Sequence, residues 1–166
     1  MGLDPRHRWR SRGVAGRPPE CTNCLTLLGA RAVPGALISR VRHEQPGLPL
    51  AVIGFSQGGM LACDAVLHND GSPDGLALLF SSRLDIEAWT QRSGSQRVLP
   101  VLVSYGHADE DLAVAKGEAL SDYCFEAGAD VKWIPFREGH VIPLVVWRGI
   151  CRFLAGLCQR GEPISP

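Results

Sequence analysis

Leu50-Ala51-Val52-Ile53-Gly54-Phe55-Ser56-Gln57-Gly58-Gly59-Met60-Leu61-Ala62 is the stretch on which the rest of the chain turns. Residues 50–54 form a short unbroken apolar run, the pattern of a strand covered on both faces within a parallel sheet. Residues 60–68 carry apolar side chains at helical spacing. Between them stands Gly54-Phe55-Ser56-Gln57-Gly58, a Gly-x-Ser-x-Gly pentapeptide. In a chain with 19 glycines that pentapeptide alone is a weak signal. Strand, sharp turn and helix around it strengthen it, because that setting presents a serine at an exposed, strained elbow. The glycines are expected to be steric necessities, since a side chain at Gly54 or Gly58 would strike the neighbouring strand or helix. The backbone N–H of Gln57, at the start of the helix, is expected to face a developing oxyanion. The bland alternative for Ser56 is an ordinary turn serine.

Working outward, the strand–helix unit recurs. Residues 76–80, 101–105 and 131–136 read as further buried strands, and residues 34–43, 111–127 and 143 onward as helices. Gly128 is placed to end the second of these helices. Pro34 and Gly35 interrupt the apolar pattern of residues 25–38, so the first helix is expected to begin at Pro34. In the last helix Val146, Ile150, Phe153, Leu154 and Leu157 follow the 3.6-residue period, and Cys151 and Cys158 are expected on one buried face. Alternating strands and helices predict an α/β fold, a parallel sheet with helices on both faces.

A serine alcohol is a poor nucleophile until a base takes its proton, so the chain must supply a histidine and an acid to orient it. On a serine-elbow sheet these follow in the order Ser, Asp or Glu, His, on loops after strand ends. Asp109, in Tyr105-Gly106-His107-Ala108-Asp109, and His140, in Glu138-Gly139-His140-Val141, meet both requirements. The other histidines fit less well. His7 lies near the start of the chain, His43 before the nucleophile strand, His68 at a helix end, and His107 before the acid. Glu110 and Asp111 compete with Asp109, although Asp111 also suits a helix cap. The chemistry expected is acyl transfer to water: Ser56 attacks an ester or thioester carbonyl, His140 is the general base and then the acid, and Asp109 holds the imidazole tautomer.

The whole chain excludes several other functions. Its 166 residues suit one domain, and 17 basic side chains balance 17 acidic ones. That gives no overall field for gathering nucleic acid. No apolar run approaches the roughly 20 residues of a membrane-spanning helix. Residues 1–20 carry Arg6, Arg8, Arg10, Arg12 and Arg17 with little apolar periodicity and read as a basic flexible tail. Residues 21–160 read as a single domain and residues 161–166 as a frayed end. Cys21-x-x-Cys24 is half of a zinc spacing without a second half, so no metal is expected. The six cysteines read as reduced thiols of a cytoplasmic protein.

The segment Ile53-Gly54-Phe55-Ser56-Gln57-Gly58-Gly59-Met60 resembles the nucleophile region of the phospholipase/carboxylesterase family of α/β-hydrolases, which includes the acyl-protein thioesterases. Residues 101–109 resemble that family's acid strand and loop, Lys116-Gly117-Glu118-Ala119-Leu120 its next helix, and Glu138-Gly139-His140-Val141-Ile142-Pro143 its histidine loop. The resemblance covers about residues 33–155. It implies a cofactor-free serine esterase acting on small-molecule esters, acyl thioesters or lysophospholipids through Ser56, Asp109 and His140. Tyr105 stands where the family commonly has histidine, and Glu110 where it commonly has proline. Nothing in residues 1–49 reads as the family's N-terminal strands or its His-Gly-x-Gly loop, the source of a second oxyanion donor. The expectation is therefore an α/β-hydrolase sheet without the usual N-terminal strands. Its exposed edge would offer a route to self-association, and a second oxyanion amide would have to come from residues 20–35. The alternative is an impaired remnant serving as a binding module. Phe80, Leu84 and Trp89 suit an acyl pocket as well as they suit a core.

Overall fold

Apolar runs of five to seven residues become strands, and the longer stretches of helical period become the helices between them. The computed structural model describes residues 22–68, 73–82, 98–110 and 113–161. In chain order they form α1 (Thr22–Glu44), β1 (Ala51–Phe55), α2 (Gln57–His68), β2 (Gly75–Leu79), β3 (Pro100–Gly106), α3 (Val114–Glu126), β4 (Asp130–Phe136) and α4 (Leu144–Gly161). All four strands are parallel, in the order β1-β2-β3-β4. Each predicted strand end lies within one residue of an observed one. Residues 1–20, Cys21, Leu84, Trp89 and Asp111 lie outside the described residues, and the side chain of Cys24 does too.

The central strands β2 and β3 are buried along their whole length, which is why they read as continuous apolar runs. Alternate side chains feed two cores. Leu76, Leu78, Val101 and Val103 meet Ile38 of α1, Ala62 and Val66 of α2, and Leu120 and Tyr123 of α3. Ala77, Leu79 and Leu102 meet Val146 and Ile150 of α4 on the other face. Helices therefore cover both faces, as expected. β1 ends the sheet, and among the described residues no strand pairs with its outer side. Ile53 and Phe55, on that strand, remain 45% and 39% exposed.

Three local expectations are corrected. First, α1 does not begin at Pro34: it is one helix of 23 residues with Pro34 inside it. Proline removes one helical hydrogen bond, but α1 is fastened on both sides of it. Ile38 is buried against α2, and Arg31 forms a two-pronged ion pair with the fully buried Asp64 of α2. Unpairing a buried charge of this kind typically costs about 3–5 kcal/mol. Arg42 adds a second tie, 2.7 Å from Asp74, whose carboxylate also accepts the Leu50 N–H. Second, α3 starts at Val114, with Ala113 as its cap, later than the expected residue 111. It ends as foreseen: Gly128 takes the left-handed φ of +87° and donates to Phe125 O at 2.9 Å. Third, Cys151 and Cys158 of α4 are exposed. They share a face, but Cys151 lies about 100° around the helix from buried Ile150, outside the core stripe.

Among the described residues, Cys63 of α2 and Cys124 of α3 are the buried thiols, unbonded to each other covalently. Hydrogen bonding to Cys124, then burial, pushes the Cys63 thiol well above its ordinary range. Thiolate is the reactive form. A thiol reagent at pH 8 is therefore expected to modify Cys151 and Cys158 in the native protein and to reach Cys63 and Cys124 only in denaturant, as read by peptide mass spectrometry. Rapid native labelling of Cys63 would contradict this packing.

Candidate active site

β1 runs straight into Ser56, whose φ of 52° is left-handed. A non-glycine residue there is strained by about 1–3 kcal/mol, and the surroundings hold it. Its N–H donates to Leu79 O at 2.8 Å, continuing the β1–β2 ladder by one rung. Its carbonyl accepts from Gly59 and Met60 N–H, at 3.0 and 3.2 Å, and starts α2. Gln57 is the first residue of that helix, where an N–H has no intrahelical partner. The elbow foreseen from the sequence is thus present.

The steric reading of its glycines is half right. A Cβ on Gly54 would lie 2.3 Å from the Cα of Gly59, so only glycine lets strand and helix touch. A Cβ on Gly58 would meet nothing within 4 Å. The second crowded position is Gly59, where a Cβ would stand 1.9 Å from Ser81 Oγ. The doubled Gly58-Gly59 was the available signal, and the pentapeptide pattern hid it.

Asp109 and His140 sit on loops leaving β3 and β4, which are adjacent strands. The two loops are stitched together: His107 N–H donates to Phe136 O at 2.9 Å, and Ala108 N–H to Glu138 O at 3.3 Å. Gly106 permits the approach, since a Cβ there would lie 2.1 Å from Glu138 O. The Nδ1–H of His140 donates to Asp109 Oδ2 at 2.8 Å. The Asp109 side chain is fully buried and that of His140 is 24% exposed. With Nδ1 as donor, Nε2 of a neutral ring is an acceptor. Of the rival residues, His107 and Glu110 are exposed, and His68 bonds Asp64 O at 2.8 Å within its own helix.

Ser56 is half-buried, and its hydroxyl forms no hydrogen bond with His140. The elbow reaches the imidazole through the neighbouring Phe55, whose ring centroid lies 4.8 Å from that of His140. Such bonds commonly tighten when substrate binds.

Phe80 is a core residue, fully buried, with its ring 4.7 Å from His140. Neither aromatic contact of the imidazole was foreseen. Tyr105 lies behind, fully buried, with its hydroxyl lacking a hydrogen-bond partner among the described residues. Burial first and the Asp109 charge second push its phenol up to about 12. Residues 22–44 form one helix, whose amides beyond the first turn belong to the helical ladder. That leaves residues 26–35 unsuited to supply a second oxyanion donor.

A family model described as phospholipase/carboxylesterase matches residues 45–157. No curated protein matches the sequence. Among solved structures, SOBER1 from Arabidopsis thaliana superposes with a TM-score of 0.69 at 23% identity, over 80% of this chain and 65% of that one. A carboxylesterase from Mesorhizobium loti gives 0.66 at 23% identity, over 80% and 62%. Acyl-protein thioesterase 2 from Zea mays gives 0.62 at 19%, over 80% and 66%. The matched part thus spans just under two thirds of the length of these neighbours, and the likeness is one of fold.

Proposed function

We propose that this chain, which belongs to the phospholipase/carboxylesterase family, hydrolyses carboxylic esters through an acyl-enzyme formed on Ser56. In the first half-reaction Ser56 Oγ bonds to the carbonyl carbon while its proton passes to His140 Nε2. The same nitrogen then protonates the departing alcohol or thiol. In the second, His140 takes a proton from water, whose oxygen bonds to the acyl carbon; the bond to Ser56 Oγ breaks, His140 returns the proton to Oγ, and the carboxylic acid leaves. Asp109 stabilises the imidazolium that forms each time. The Gln57 N–H, and the helix start it belongs to, stabilises the oxyanion.

The observation that supports this best is the 2.8 Å bond from His140 to a fully buried Asp109, set beside the strained elbow. Substrates are taken to be small-molecule esters, with acyl thioesters and lysophospholipids as the extensions to test. No step calls for a cofactor or a nucleic acid. Free Cys63 and Cys124 fit a reducing compartment, the cytoplasm. No described helix is long and apolar enough to cross a membrane. Self-association through the outer edge of β1 belongs to the same proposal.

A second reading is an impaired hydrolase serving as a binding module. It is favoured by the described chain ahead of β1 being the helix α1, with no strand and loop there to carry a second oxyanion amide. A fluorophosphonate probe separates the two. The active enzyme is expected to yield one adduct on Ser56, located by peptide mapping, and to turn over p-nitrophenyl esters in a series of chain lengths. A folded chain that forms no adduct would leave only the second reading.

A further inference from the structure

We propose that Phe80 is a positioning residue, which together with Phe55 forms a continuous aromatic wall along one side of the His140 imidazole. The inference rests on the hydrolase reading for its consequence, but on geometry for its substance. A single hydrogen bond from Nδ1 to Asp109 fixes how far the ring lies from the carboxylate. It leaves the ring free to swing about the Nδ1–Oδ2 line, and that swing carries Nε2 toward or away from the serine. A wall of two touching rings blocks that swing on one side. Phe55 stands edge-on at 4.8 Å with the ring planes at 63°, and Phe80 is tilted at 4.7 Å with the planes at 55°. Both distances fall in the range of favourable aromatic pairing.

Phe80 is also held rigidly. It is fully buried, and its ring packs edge-on against Phe136 at 5.5 Å and tilted against Tyr105 at 5.6 Å. Phe55 touches it as well, at 5.4 Å. The backbone points the same way. Phe80 has φ of 55°, a left-handed conformation that a bulky side chain rarely adopts. An apolar residue needed only to fill the core could have stayed in the strand conformation of Leu79. Instead the chain turns sharply after Leu79, with Phe80 N–H tied to Ser104 O at 3.0 Å and Leu79 O tied to Ser56 N–H at 2.8 Å. This one corner therefore couples the serine elbow to β3 and delivers the ring to the histidine. Strain kept at a bulky residue beside a reactive group marks function.

The test compares Phe80→Leu, which keeps apolar volume but loses the flat ring, with Phe80→Tyr, which keeps the ring. In the full chain Phe80→Leu is expected to lower kcat for a p-nitrophenyl ester by about 10–100-fold with KM unchanged, the scale of a misplaced catalytic group. Phe80→Tyr is expected to recover most of that loss. The second readout needs no turnover. In a Ser56→Ala background, the far-downfield Nδ1–H proton of His140 in the NMR spectrum is expected to be sharp and to broaden in Phe80→Leu. If Phe80→Leu does not fold, Phe55→Leu at the half-exposed wall is measured the same way. A sharp, unmoved proton in the leucine variant overturns the positioning role, as does an unchanged kcat. Broadening of that proton, together with a wild-type chain that hydrolyses no ester, upholds the positioning role and overturns the hydrolase reading instead.

Discussion

Ser56→Ala is expected to lower kcat for p-nitrophenyl ester hydrolysis by about 10⁶-fold, to the level that binding and the oxyanion amide sustain alone. The size follows from the division of labour in the proposed mechanism. His140 and Asp109 prepare a proton acceptor, and neither offers a nucleophile that could form the acyl-enzyme in place of the alcohol. The hydroxyl forms no hydrogen bond with His140, so its removal breaks no tie to the imidazole. The variant should keep its melting temperature, which separates chemistry from folding. Asp109→Asn is expected to cost about 10⁴-fold, because an amide NH₂ facing Nδ1 favours the wrong imidazole tautomer. Steady-state rates with a fluorophosphonate-titrated reference sample check both. A residual rate within tenfold of wild type in the serine variant would mean the esterase activity resides elsewhere.

Gly54→Ala is expected to damage folding rather than chemistry. The new methyl group would face the Cα of Gly59 at 2.3 Å, its nitrogen at 2.5 Å and the carbonyl of Gly58 at 2.6 Å. All three are backbone atoms at the start of α2, so no rotamer change makes room, and strand and helix must part. Overpacking of this kind typically costs about 3 kcal/mol at the upper end. In a chain of this size that lowers the melting temperature by roughly 6–12 °C. Gly58→Ala is the contrast: its Cβ enters open space, and alanine suits a helix better than glycine by about 1 kcal/mol. Thermal melts of the two variants beside wild type decide the matter, and equal melting temperatures would refute the crowding at residue 54.

The two central strands were legible because a strand buried on both faces must be apolar throughout, and residues 76–79 and 101–103 are. Asp109 and His140 were legible because order along the chain maps onto loop position in a parallel sheet, and their loops leave neighbouring strands. What escaped were features decided by distant partners. Pro34 reads locally as a break, yet Arg31 and Asp64 clamp the helix through it from 33 residues apart in sequence. Residues 54 and 59 meet across the elbow, which a pattern anchored on residue 58 does not reveal. The aromatic surroundings of His140 come from β1 and β2, far from the histidine loop. A left-handed corner at Phe80, unlike one at glycine, leaves no trace in residue type. Cys151 and Cys158 were misplaced for a simpler reason: shared periodicity says which residues lie together, and not which way they face.

The position of β1 has a consequence for endurance. β3 is bonded along both sides, to β2 and β4, whereas β1 is bonded to β2 through five residue pairs and, among the described residues, to nothing beyond. Segments tied on one flank detach at lower free energy than those tied on two. The proposed nucleophile and base therefore follow the two outer strands of the described sheet, β1 with five pairs and β4 with seven, and only the proposed acid follows a strand bonded on both sides. On warming, Ser56 is expected to part from its proposed proton acceptor before the central strands separate, so esterase activity is expected to fade at a lower temperature than the fold.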